Sequence, residues 1–193
     1  MKNIRELVIK NRSCRSFDRS VKITEEDILR WLDTTRFTMS SSNLQPLKYY
    51  YSVNDEINEK IRPHTYWARL LPEYNGPDDL HNPVAYIVIC VDKEIIKGAD
   101  PNRFSRDVGI VAQTIMLQAT EDGFSGCMIG NFDNGLYDIL PIPENCSIAL
   151  VLALGKCDEE IVLTEAENGK TAYYRENGKH FVPKRNLDEI IIK

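Results

Sequence analysis

Asn11-Arg12-Ser13-Cys14-Arg15-Ser16-Phe17, followed further along by Ser40-Ser41-Ser42-Asn43-Leu44-Gln45-Pro46, are the two stretches on which the reading of this chain turns. In the first, residues two apart on an extended backbone share a face, so Ser13 and Arg15 point the same way. Guanidinium forks form bidentate, charge-assisted bonds, and two of them beside a hydroxyl suit a phosphate or a polar heterocycle. The second is a run of hydroxyls and amides closed by a proline, which stops a helix. Asn and Gln offer donors and acceptors together, as the edge of a uracil-like ring requires. Taken singly, each stretch has a plainer reading. Arg12 and Arg15 could belong to a solvated cluster with a weak ion pair, and the Ser-Asn-Pro run could be a loop that ends a helix. Their joint presence favours a binding site.

At 193 residues the chain has the size of one domain, read here as 1–193. Hydrophobic content of 42% and charged content of 27% are ordinary for a globular protein. The net charge of −5 argues against general binding to nucleic acid or to anionic membranes, so an anionic ligand needs a local basic cluster. Residues 1–6 lack an apolar signal core and no apolar run reaches membrane-spanning length, which points to a cytoplasmic protein. Five cysteines without metal-ligand spacing read as reduced thiols, with Cys14 a small packing residue. His64 and His81 lack acidic or cysteine partners at ligand spacing, so no metal is expected.

Asn3 caps a first helix and Thr24 a second, where Glu25, Glu26 and Asp27 complement the dipole and Ile23 and Ile28 form a staple. Lys48 to Val53 reads as a tyrosine-rich strand, and Asn54 caps a helix that ends before Pro63. The apolar runs Val84 to Val91 and Ser147 to Leu154 predict strands covered on both faces. Phe104, Val108, Val111, Ala112, Ile115 and Ala119 follow helical spacing, and Ile110, Met116 and Leu117 make the other side apolar. Such a helix belongs in a large core or an interface. Asp122-Gly123 ends it. Asn-Gly pairs at 168–169 and 177–178 predict hairpin turns, and the Leu187–Ile192 tail is expected to add to a sheet edge. Between residues 63 and 83, Tyr66, Trp67 and their aromatic neighbours suit either a pocket wall or a loop packed on its own body.

The two opening stretches resemble the flavin signature of the nitroreductase family, Arg-Arg-Ser-x-Arg-x-Phe followed by Pro-Ser-Ser-x-Asn-x-Gln-Pro-Trp. This chain keeps Arg12, Ser13, Arg15, Phe17, Ser40, Ser41, Asn43, Gln45 and Pro46, and departs at Asn11, Met39 and Leu47. Further similarity lies in Asp107-Val108-Gly109-Ile110-Val111-Ala112-Gln113, in Gly123 to Gly130, in Ala153-Leu154-Gly155, and in His180-Phe181-Val182-Pro183-Lys184-Arg185. The resemblance implies an α+β fold, with helices packed around a mainly antiparallel sheet and a C-terminal strand exchanged in a homodimer. It implies one FMN per chain, held by Arg12, Ser13, Arg15, Ser40, Ser41, Ser42, Asn43, Gln45, Ile129, Gly130, Lys184 and Arg185; Tyr66 and Trp67 are substrate-pocket candidates from the aromatic character of their own segment. It further implies that each site draws on two chains, the Arg12–Arg15 and Lys184–Arg185 segments from one and Ser40 to Asn43 from the other.

The implied activity is ping-pong transfer of electrons from NAD(P)H to an electron-poor acceptor of nitroaromatic or quinone type. No side chain acts as a nucleophile, because hydride transfer occurs at flavin N5. The sequence lacks a Gly-x-Gly-x-x-Gly fingerprint, a P-loop and a Gly-x-Ser-x-Gly elbow. A flavin-storing protein on the same scaffold and a flavin-independent anion-binding module remain as alternatives.

Overall fold

The computed structural model describes residues 3–71 and 73–192. Its helices begin where capping chemistry puts them. The Asn3 side chain accepts from Arg5 N at 2.9 Å and opens α1 (Ile4–Lys10). After the short β1 (Phe17–Asp18), Thr24 and Asp27 form a reciprocal capping box that opens α2 (Glu25–Thr35), and the staple pair Ile23 and Ile28 is buried. A 3-10 turn at Ser41–Asn43 leads into β2 (Leu47–Ser52). Asn54 then caps α3 (Asp55–Ile61) by accepting from Ile57 N at 3.1 Å.

β3 (Ala85–Asp92) is buried at every residue, as its unbroken apolar run requires. After it come α4 (Ser105–Glu121), β4 (Ser125–Ile129), α5 (Gly135–Ile139) and the long β5 (Cys146–Cys157). These strands form an antiparallel sheet of order β1-β5-β3-β2, with β4 also paired to β5. Alternation along β3 divides the core between the two faces of the sheet. Ile87, Ile89 and Val91 pack with Trp31 of α2 and with Val111, Ala112, Ile115 and Met116 of α4. Tyr86, Val88 and Cys90 pack on the other face with Ile61, Trp67 and Leu136. Gly126 is required by this arrangement, since a Cβ there would lie 2.3 Å from the carbonyl oxygen of Ala153 on β5.

A second sheet lies beyond the first in sequence. β6 (Glu160–Glu165) runs parallel to β8 (Lys179–Lys184), and β7 (Tyr174–Glu176) lies antiparallel on the far side of β8. The Asn177-Gly178 pair takes left-handed backbone, with φ of 50° and 77°, and closes the β7–β8 hairpin as predicted. Asn168-Gly169 is also left-handed, yet it closes no hairpin, because β6 takes β8 as its partner. A turn sets a local reversal; the packing of the strands sets which strand is met.

Two other expectations are corrected. The tail extends no sheet edge of its own chain: Asn186 and Glu189 form a capping box and turn Leu187–Ile190 into α6, a single helical turn. Within the single chain α4 is buried along one side, and its other side, with Gly109, Ile110 and Gln113, is exposed, with nothing within 4 Å of where a Gly109 Cβ would be. The cysteines are not all reduced. Cys14 and Cys157 form a disulfide with Cα atoms 5.9 Å apart, while Cys90, Cys127 and Cys146 are free and buried. The pairing of β1 with the end of β5, which sets Phe17 opposite Cys157, brings these distant residues together.

Candidate active site

The segment before β1 is pinned to the body at almost every residue. Asn11 is buried and its side-chain amide donates to Met116 O at 2.8 Å and Thr120 Oγ1 at 2.9 Å, both on α4. Ser13 bridges to Gly126 of β4, and Cys14 N donates to Gly126 O at 2.9 Å. Arg15 N donates to Glu159 Oε1 at 2.5 Å, and the Tyr74 hydroxyl donates to Arg15 O at 2.5 Å. Glu159 in turn holds Arg175 at 2.6 Å, whose guanidinium lies 4.4 Å from the Tyr74 ring centroid. Burial carries the Tyr74 hydroxyl up to about 12, so it remains a donor at neutral pH.

This anchoring presents Arg12, Ser13 and Arg15 to a concavity of about 350 Å³. Gln113 and Met116 of α4, Met128 of β4, and Tyr173, His180, Val182 and Lys184 of the C-terminal sheet complete its wall. Alternation along β8 explains the selection on that side. His180, Val182 and Lys184 share one face, and the neighbouring Arg185 points away to Glu189 Oε1 at 3.5 Å.

Two guanidiniums in this wall are incompletely partnered. Arg12 Nη2 donates to Val8 O at 2.9 Å, while its Nε is buried without a partner, and burial lowers the pKa of the group. Arg15 is 8% exposed; its Nη1 donates to Ser13 O at 3.3 Å and its Nε is likewise unpaired. Buried donors without acceptors are costly, and two cations aimed at one concavity in a chain of net charge −5 suit an anionic ligand with acceptor oxygens.

The second stretch lies elsewhere. Asp107, buried at the start of α4, accepts from Ser40 Oγ at 2.7 Å, Ser41 N at 2.9 Å and Ser41 Oγ at 2.6 Å. Burial alone would raise this carboxyl, but the bonds from Ser41 and Ser40 outweigh it and hold the group below the usual carboxylate range. The hydroxyls of Ser40 and Ser41 are therefore engaged in holding the loop. Ser42, Asn43 and Gln45 beyond them take φ of 53°, 54° and 50°, a left-handed run rare for residues other than glycine. Gln45 Nε2 donates to Asn43 Oδ1 at 3.0 Å, and Ser42, Asn43 and Gln45 are exposed. None of these residues lines the concavity of its own chain.

The remaining candidates also lie apart from it. Ile129 is buried in the core, and nothing lies within 4 Å of a Cβ built at Gly130. Its neighbour Met128 lines the cleft instead, the opposite face of the same strand. Trp67 is a core residue whose Nε1 donates to Thr65 Oγ1 at 3.0 Å. Tyr66 donates to Asp133 at 2.6 Å, beside a His64–Asp133 contact of 2.8 Å. Tyr173 carried no signal in the sequence; only the fold shows it 5.1 Å from the Arg15 guanidinium.

Comparison with known proteins places the fold. A structure from Staphylococcus epidermidis, named for NAD(P)H:FMN oxidoreductase activity, is similar with a TM-score of 0.73 and 17% identity, covering 100% of this chain and 96% of that one. A nitroreductase family protein of Streptococcus pneumoniae gives 0.70 and 17%, covering 99% and 100%. A nitroreductase-type protein of Exiguobacterium sibiricum, solved in complex with FMN, gives 0.64 and 19%, covering 82% and 90%. No protein of curated function matches the chain. The sequence model described as "Nitroreductase family" matches residues 8–156, from the anchored segment through the end of the central sheet, and on that match this chain belongs to the nitroreductase family.

Proposed function

We propose that this chain is an FMN-dependent oxidoreductase that takes electrons from NAD(P)H and passes them to an electron-poor small molecule of nitroaromatic or quinone type. The observation that carries the reading is the convergence of Arg12, Ser13, Arg15 and Lys184 on one cleft, with buried unpaired Nε donors on both arginines. Bound there, FMN would supply a flavin N5 that accepts hydride and later yields the electrons to a second substrate, a ping-pong sequence. The protein's share is position and charge. Arg12, Arg15 and Lys184 would offset the negative charge of the cofactor, and the burial of Arg15 would strengthen its bonds over their value in water. The pinned backbone of residues 11–15 would keep those donors from relaxing toward solvent.

The loop bearing Ser42, Asn43 and Gln45 would complete the site of a second subunit. Two features support a homodimer. The loop's exposed amides do not line the cleft of their own chain, and apolar Phe37, Met39, Leu44 and Ile110 are 77%, 82%, 45% and 37% exposed. A stable dimer would cover such a surface.

Denaturation of the purified yellow protein should release FMN at one per chain, and anaerobic NADH or NADPH should bleach the holoprotein. Colourless protein that takes up no added FMN would end the reading. Bound flavin that neither nucleotide reduces would instead favour a flavin-storing protein.

A further inference from the structure

His180 is buried on β8 at the back of the cleft. Its Nε2 lies 3.3 Å from Nη1 of Arg15. A guanidinium can only donate, so Nε2 must accept and the ring must be neutral with its hydrogen on Nδ1. That Nδ1 is buried without a partner. Tyr173 completes the arrangement, its ring 5.1 Å from the Arg15 guanidinium and 5.4 Å from the His180 ring. Arg15 Nη1 also donates to Ser13 O at 3.3 Å.

The geometry points to His180 as the positioning residue for Arg15: its Nε2 lone pair holds the guanidinium in the orientation the cleft presents to FMN. The inference rests on the proposed flavin site and assigns Arg15's orientation to the C-terminal sheet, which lies outside the family match at residues 8–156. The charged surroundings keep the ring neutral. Arg15 faces it from one side and Arg175, its register partner on β7, from another, while Ile161 opposite it on β6 offers no charge. Lys184 shares its face of β8 and adds positive charge to the cleft. Glu159 is the nearby anion, and it is occupied by Arg175 and Arg15 N. Burial, then Arg15 and Arg175, push the imidazole down to about 4. Protonation would replace the acceptor with a second cation and drive Arg15 out of place.

The pair can be read without cofactor. With His64, His81 and His180 the only histidines, nitrogen-detected NMR of the full chain should give three imidazole patterns, and His180→Gln identifies one of them. That one should be the neutral Nδ1–H tautomer, and it should stay neutral below pH 5. In Arg15→Ala it should titrate closer to the ordinary histidine value. FMN binding, followed by quenching of flavin fluorescence, supplies the second readout. His180→Gln keeps an acceptor for Arg15 and should bind FMN within about threefold of the parent, whereas His180→Leu should bind at least about tenfold more weakly. In an Arg15→Ala background, His180→Leu should cost nothing further. An Nε2–H tautomer, parental FMN affinity in His180→Leu, or losses that simply add would each overturn the assignment. If the parent bound no FMN the flavin reading would fail, and the tautomer and its response to Arg15→Ala would still decide the pairing.

Discussion

Asn11 stands where the family signature has arginine, and its side-chain amide, at the edge of the cleft, donates to α4. The role is structural: it fixes the start of the segment that Arg12, Ser13 and Arg15 depend on. Asn11→Ala should cost about 1–3 kcal/mol in urea unfolding, since the Met116 carbonyl and the Thr120 hydroxyl each lose a buried hydrogen bond. Asn11→Arg should be worse, because the longer cation would enter a site shaped for a small neutral amide. Equal stability for parent and Asn11→Arg would show that the position tolerates the family's usual residue. At Arg15 the expected loss is in binding. Arg15→Ala should weaken FMN binding by about 1.5–3 kcal/mol and Arg15→Lys by less, as measured by flavin titration, since lysine keeps the charge and loses the fork.

Among elements, α4 links the two opening stretches, with Asp107 holding the Ser40–Ser41 turn and Gln113 and Met116 lining the cleft. Asp107 has its folded pKa below the ordinary carboxylate value, so it contributes stability that is present above the unfolded pKa of about 4 and lost as pH falls through the folded one. Asp107→Asn should therefore be less stable than the parent at pH 7, with the gap narrowing toward pH 3 in thermal melts; a gap independent of pH would assign the effect to shape and not to charge. Elements were legible where one local rule decided them. Thr24 with Asp27, Asn54, the apolar run of β3 and Asn177-Gly178 each act through neighbours in sequence. The same reasoning singled out Arg12, Ser13 and Arg15, whose residue types suit an anion, whereas Lys184 was named through the family resemblance alone. It could not choose between Lys184 and Arg185, or between Met128 and Ile129, without strand register. Tyr173 and the Cys14–Cys157 pair depend on tertiary contact alone and left no local trace.

At the scale of the molecule, the disulfide closes a loop between residues 143 apart, a length for which chain entropy allows up to about 5 kcal/mol. Denatured protein kept from reductant should titrate three thiols, those of Cys90, Cys127 and Cys146, and reductant should lower the melting temperature. Five reactive thiols would mean that the pair is reduced in the isolated protein. The shared site has its own test in mixed subunits. Asn43→Ala and Arg15→Ala homodimers should each bind FMN poorly, while their heterodimer should regain one good site and carry one doubly damaged site. Heterodimers with a single defect in each site, or a monomer that retains flavin on dilution, would refute sharing.

The cleft takes one wall from residues 11–15 and the other from residues 173–184. On the ribosome, where chains grow at about 5–20 residues per second, the first wall exists long before the second. The central sheet can be assembled once β5 has emerged, but the β8 face that bears His180 and Lys184 is made only later. A flavin held by this cleft would therefore be captured only after β8 has emerged, and a product that stops after residue 157 would carry the family core with only half of the proposed site.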